Sequence, residues 1–302
     1  MKLQFHTLDV FTGQRFSGNP LAAVMESDGL TDAQMLAITR EFNLSETIFI
    51  QSAADKANTA KVRIFCPGGE MPFAGHPTLG CAILLAESKY KPGCSFETEI
   101  RLEEVAGLVP VKVTRIGEIS AGMFTAPVVP FAVKGSLPTP EAAAAALGLV
   151  ADDIGLEGHH PGIFRGGPTF LYIPVASRKA IAAARVIEPH WSKITKAAGV
   201  DNTYLYTAGG DDPATSFRAR MFAPAAGIYE DPATGSATAI LSAQLLGSKA
   251  LQEGTNRFKL EQGYEMGRAS DLTLEADVKA EKITAVRVGG SAVRVSEGTI
   301  SV

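Results

Sequence analysis

The strongest constraint on this 302-residue chain is that one unusual segment is written into it twice. Residues 63–79 read RIFCPGGEMPFAGHPTL, and residues 220–239 read RMFAPAAGIYEDPATGSATA. Arg63 matches Arg220, Phe65 Phe222, Pro67 Pro224, Glu70 Glu230, Pro72 Pro232, Gly75 Gly235 and Thr78 Thr238. Weaker matches fall in order with these: Gly18-Asn19-Pro20 against Gly166-Gly167-Pro168, and Glu46-Thr47-Ile48-Phe49-Ile50 against Asn202-Thr203-Tyr204-Leu205-Tyr206. The period, about 160 residues, is far longer than the roughly 20–50 of a solenoid repeat. It fits two homologous halves of ordinary domain size, with one site between them.

Around the repeat the pattern reads as α+β. Leu3, Phe5 and Leu8 in residues 3–10 and the run Leu21 to Met25 suggest strands joined by a turn at Gly18-Asn19-Pro20. Thr31 with Gln34 three residues later forms a capping-box signature, Met35, Leu36, Ile38 and Phe42 supply an apolar face, and Asn43 ends the helix. Ile48-Phe49-Ile50 and Val62-Arg63-Ile64-Phe65 are strand-like, the second breaking at Cys66-Pro67-Gly68-Gly69.

Each copy of the repeat then opens a helix that is apolar on nearly all faces, with Leu79, Cys81, Ile83, Leu84 and Leu85 in one and Ala237, Ile240, Leu241, Leu245 and Leu246 in the other, closed by Gly247. Such a helix is buried, yet its leading N–H groups have no intrahelical acceptor. An anion at the helix start satisfies them and interacts well with the helix dipole. Gly75 and Gly235 leave room for that approach, so two such ends can hold a small carboxylate-bearing ligand. The plainer reading is that His76, Ser236 and Asp231 merely cap the helices. The residues differ between the copies, His76 in one and Ser236 in the other, which suits halves that have taken separate chemical roles.

Composition narrows the class. With 46% apolar and 20% charged residues the chain is an ordinary globular protein. A net charge of −4 with dispersed basic residues excludes a nucleic-acid partner. No apolar run approaches the roughly 20 residues of a membrane span, and Gln4, His6 and Asp9 stand where a signal peptide would be apolar, so a cytoplasmic location is expected. Cys66, Cys81 and Cys94 form no C-x-x-C pair, and no metal site is expected. His159 and His160, in a Gly/Pro-rich stretch, read as a solvated loop.

The blocks SGNPLAAV (17–24), NLSETIFI (43–50), EMPFAGHPTLG (70–80) and GIYEDPATGSATA (227–239) resemble the signature blocks of the PhzF family, the phenazine-biosynthesis-like isomerases, and the closing residues 286–302 are similar to its final strands. The resemblance implies the diaminopimelate-epimerase-like α+β fold, two pseudo-symmetric halves that each wrap a curved sheet or barrel around a central helix. It implies domains of residues 1–122 plus about 288–302, and 123–287, with the active site in the cleft between them. Residue by residue, it makes Glu46 the general acid/base and His76 and Asp231 its catalytic partners. Gly75, Gly235, Ser236, Asn19 and Thr234 correspond to substrate-binding positions. The implied activity is cofactor-independent movement of a proton between carbons of a small carboxylate-bearing, cyclic or unsaturated substrate, by a homodimer. Asn202, the counterpart of Glu46, cannot ionise, so the base lies on one side only.

Two rivals share this fold. A two-thiol racemase or epimerase would carry a cysteine just before each helix glycine; this chain has Ala74 and Thr234 there. A catalytically silent acid-binding protein would not need Glu46, His76 and Asp231 together. ATGSAT lacks a Gly-Lys-Ser/Thr ending, and no Gly-x-Gly-x-x-Gly follows a strand, so nothing calls for a nucleotide or dinucleotide.

Overall fold

The computed structural model describes all 302 residues, which divide into two compact units: Met1–Pro127 with Val288–Val302, and Val128–Arg287. The first unit contains β1 (Lys2–Val10), β2 (Asn19–Val24), α1 (Asp32–Phe42), β3 (Glu46–Gln51), β4 (Ala60–Cys66), β5 (Gly69–Met71), α2 (Gly75–Lys89), β6 (Phe96–Glu104), β7 (Gly107–Ile116) and β8 (Ile119–Thr125). The C-terminal strand pairs with both β1 and β8, so the order C-terminal strand, β1, β2, β3, β4, β6, β7, β8 closes on itself as an eight-stranded barrel. Pairs β2–β3 and β4–β6 are parallel, while β1 with the C-terminal strand, β1–β2, β3–β4, β6–β7 and β7–β8 are antiparallel.

The parallel pairs explain where the helices go, because parallel neighbours need a crossover connection. α1 links β2 to β3 and packs on β3 and β4. Its start is the expected capping box: Thr31 Oγ1 accepts from Gln34 N at 3.3 Å, while Gln34 Oε1 accepts from Thr31 N at 3.0 Å. Asn43 ends it in the left-handed region, at φ 52°. α2 links β5 to β6 and touches β1, β2, β3, β6, β7 and β8, so it fills the barrel, and its all-round apolar sequence is the consequence. β2 is therefore covered on both faces, which is why NPLAAV lacks the alternation seen in β7.

The tight fit of α2 yields a test at Gly80. A Cβ added there would lie 2.7 Å from Leu21 Cδ2 and 2.8 Å from Val10 Cγ2, both on fully buried wall residues. Ala is favoured over Gly in a helix by ~1 kcal/mol, but overpacking costs ~1–3 kcal/mol. Gly80→Ala is expected to lower unfolding free energy by about 1 kcal/mol, the balance of those terms. Gly247→Ala, whose added Cβ would meet only Phe164 Cζ at 3.8 Å, is expected to raise it; urea melts of the two variants read the contrast.

The second unit repeats the order. It comprises β9 (Phe131–Ala132), α3 (Pro140–Leu147), β10 (Gly162–Arg165), β11 (Thr169–Pro174), α4 (Arg178–Ala183), α5 (His190–Ala198), β12 (Thr203–Ala208), β13 (Phe217–Ala223), β14 (Ile228–Asp231), α6 (Gly235–Gly247), β15 (Gly254–Gln262) and β16 (Ser270–Lys279), leading into β17 (Lys282–Ser301). Pairs β11–β12 and β13–β15 are parallel; β10–β11, β12–β13, β13–β14 and β15–β16 are antiparallel. This matches the first unit strand for strand. α6 touches β9, β10, β11 and β16 as this unit's central helix, while α3 and α5 pack together over a core including Leu147, Ile173, Trp191, Leu205 and Phe222. The architecture is the α+β, diaminopimelate-epimerase-like arrangement expected from the sequence.

Two local expectations need correction. Gly247 is the last residue of α6 rather than its terminator: Ser248 is the C-cap, and Lys249 takes the left-handed conformation at φ 56°. His159 is buried rather than solvated, its Nδ1 2.8 Å from Tyr206 Oη. Gln244 Nε2 donates to that same Tyr206 oxygen and to the His160 carbonyl. The buried polar groups of Tyr206 and Gln244 need partners, and the loop supplies them; of the two histidines, His160 is the exposed one.

Candidate active site

In the first unit, β3 and α2 bring Glu46 and His76 together. Glu46 is the first residue of β3, set opposite Leu21 of β2. His76 is the second residue of α2, and its Nδ1 lies 3.2 Å from Glu46 Oε2, with both side chains nearly buried. Burial pulls the His76 pKa down to about 3, with the Pro20 carbonyl working against the shift. An imidazole so far from water stays neutral at ordinary pH. The pair therefore sets a carboxyl group beside a neutral ring, within the reach that proton transfer needs. Ser45 Oγ donates to Asn19 Oδ1 at 3.3 Å, fixing the residue before Glu46 to the start of β2.

The start of α2 is buried and carries no side-chain cap. Its N-cap is Ala74, and the first turn holds no acidic residue. Pro77 has no N–H, so the leading donors of that turn are Gly75 and His76. The reading of His76, Ser236 and Asp231 as caps fails here, because the cap positions are Ala74 and Thr234 and neither caps through its side chain.

In the second unit, Asp231 ends β14, Thr234 precedes α6, and Gly235 and Ser236 open that helix. Thr234 Oγ1 donates to Asp231 Oδ2 at 2.5 Å. Gln262, fully buried at the end of β15, ties this turn together: Nε2 donates to Asp231 O at 2.8 Å and Thr234 Oγ1 at 2.9 Å, and Oε1 accepts from Thr234 N at 3.1 Å. Asn202 precedes β12 and donates to Thr169 O. Thr203 lies opposite Phe222 as Thr47 lies opposite Phe65, so the strand registers equate Asn202 with Glu46.

Gln262 is a residue that the sequence did not single out. The signal was present but short: Leu102-Glu103-Glu104 ends β6 and Leu260-Glu261-Gln262 ends β15. Glu103 accepts from the N–H groups of Ala54 and Asp55, and Glu261 from those of Asp211 and Asp212, so both hold the loop that enters the next strand.

Thiol chemistry has no support at either helix start. Cys81 lies a turn and a half into α2, fully buried, and burial pushes its thiol well up; Cys66 is half-buried and Cys94 exposed. No three His, Cys, Asp or Glu side chains form a metal-binding group, and no helix is long and apolar enough to cross a membrane.

Comparison with known proteins follows the same lines. A family profile described as phenazine biosynthesis-like protein matches residues 8–298. An uncharacterised isomerase of Mesorhizobium japonicum is 38% identical over 295 residues, covering 97% of this chain and 96% of the relative. The trans-2,3-dihydro-3-hydroxyanthranilate isomerase of Pseudomonas aeruginosa is 30% identical over 296 residues, 98% of both chains. Among solved structures, a PhzF-family protein of Bacillus anthracis superposes with a TM-score of 0.85 over all of both chains at 22% identity. A hydroxyproline epimerase of Agrobacterium vitis superposes with a TM-score of 0.63 at 14% identity, over 99% of this chain and 92% of the epimerase.

Proposed function

The chain belongs to the phenazine biosynthesis-like (PhzF) family and is a PhzF-like isomerase, and from that premise we propose that it moves a proton between carbons of a small carboxylate-bearing, unsaturated substrate in the cytoplasm, with Glu46 as the general acid/base. The observation that carries this reading is the 3.2 Å contact between Glu46 Oε2 and His76 Nδ1 at the uncapped start of α2. The Glu46 carboxylate takes a C–H proton, the electron pair shifts through the adjacent double bond, and the carboxyl returns a proton to a different carbon. No atom is gained or lost overall. His76 and Asp231 are assigned as the further proton-transfer groups. Gly75, Gly235, Ser236, Asn19 and Thr234 are assigned to substrate, with the backbone N–H groups of the helix starts receiving its carboxylate. The active form is proposed to be a homodimer, in keeping with the prevalence of two-fold assemblies; sedimentation tests it.

The test is a screen of cyclic and acyclic unsaturated acids for enzyme-dependent deuterium incorporation in D₂O. Exchange with a shifted double bond is the expected result. Exchange with inverted configuration and no double-bond shift would replace the proposal with epimerisation, and tight binding of an acid without exchange would replace it with a binding role.

A further inference from the structure

The registers that equate β6 with β15 place Glu104 where the other unit has Gln262. Leu102 and Glu103 face Ala60 and Lys61 of β4, and Leu260 and Glu261 face Phe217 and Arg218 of β13. Gln262 uses its amide N–H to hold the turn before α6. Glu104 holds the corresponding turn of α2 with an oxygen: Oε1 lies 2.6 Å from Thr78 Oγ1, and that same hydroxyl lies 2.7 Å from the Ala74 carbonyl.

The proton count is the point. A carbonyl oxygen can only accept, and a threonine hydroxyl has one proton. If that proton goes to Ala74 O, the close contact with Glu104 holds a proton only when Glu104 supplies it. If it goes to Glu104, the close contact with Ala74 O is left without one. We infer that Glu104 is a positioning residue kept as the carboxylic acid, which donates to Thr78 and so braces the first turn of α2, with Gly75 and His76 on it. An ionised Glu104 would also leave Oε2 as a buried charged oxygen, and that atom has no hydrogen-bond partner.

Burial raises the Glu104 pKa to about 8, with Thr78 pulling the other way. The titratable groups around it are Cys81 on α2, Asp28 in the loop after β2, Lys61 and Arg63 on β4, Glu70 on β5 and Glu103 on β6; Gly107, opposite on β7, carries none. Arg63 is committed to Glu70 and Asp32. Because the folded pKa lies above the ordinary 4.5, the brace is fully present below that value and is lost as pH rises through about 8. The brace does not depend on which reaction Glu46 performs, and its test needs no substrate.

Infrared spectra of the ligand-free protein at a pH well below 8 are expected to show a buried protonated-carboxyl band that Glu104→Gln removes. Between pH values near 4.5 and 8 the urea midpoint of the wild type is expected to fall progressively behind that of Glu104→Gln. The ring ¹⁵N signals of His76 are expected to stay in place in Glu104→Gln and to shift in Glu104→Ala. Absence of the acid band overturns the inference, and so does a Glu104→Gln midpoint that tracks the wild type at every pH. If Glu104→Ala does not fold, the band and the Gln variant's pH profile decide alone.

Discussion

Glu46→Gln is expected to lower kcat by about 10²–10⁴-fold, the usual contribution of a positioned acid/base, while KM changes little and deuterium exchange into substrate disappears. The substitution keeps the shape of the side chain and its neighbourhood to His76 but removes the carboxyl that takes up and returns the proton. Loss of kcat with KM retained marks an interaction made in the transition state rather than in binding. The melting midpoint serves as the control: an unchanged midpoint with lost turnover separates chemistry from folding. Solvent exchange at the wild-type rate in this variant would falsify the assignment of Glu46, and His76→Gln would then be the next variant to measure. With His76 neutral because of burial, activity on the acid side is not expected to fall through the ordinary histidine pKa of 6.5; its titration lies near 3.

The duplication was legible because it is carried by identities at matched positions, and the structure gives several of them a mechanical purpose. Arg63 binds Glu70 through two parallel contacts at 2.6 Å, and Arg220 binds Glu230 through two at 2.7 and 2.8 Å. Each arginine also lies over the ring two residues on, Phe65 or Phe222. These pairs fix β5 and β14, the short strands that lead into the central helices. The repeated letters therefore mark scaffold, and the proposed chemistry rests on the unmatched pairs, Glu46 with Asn202 and His76 with Ser236. What escaped the sequence was shorter or non-local. Leu-Glu-Glu and Leu-Glu-Gln are too brief to stand out, and the roles of Glu104 and Gln262 appear only when the strand ends meet helix starts about 28 residues earlier in sequence, across a parallel pairing that spacing does not encode. His159 was misread for the same reason: its partner Tyr206 lies 47 residues away.

The scaffold reading predicts unequal costs at the doubled arginines, and Arg220→Ala carries the larger. Arg220 and Glu230 are both under 10% exposed, and Nη1 of Arg220 also donates to the carbonyls of Ile181 at 2.9 Å and Ala184 at 2.6 Å, closing the end of α4. Removing the guanidinium strands a buried carboxylate and the buried Ala184 carbonyl, a loss of ~3–5 kcal/mol in unfolding free energy. Arg63 is more exposed, its partners Glu70 and Asp32 are 30% and 79% exposed, and water can replace it; Arg63→Ala is expected to cost about 1 kcal/mol. Urea denaturation of the two variants measures the difference, and equal costs would show that burial does not set the strength of these pairs. Because Glu230 is the neighbour of Asp231 on β14, Arg220→Ala is also expected to reduce activity in the fraction that stays folded, while Arg220→Ala with Glu230→Gln should recover part of the stability by removing the stranded charge.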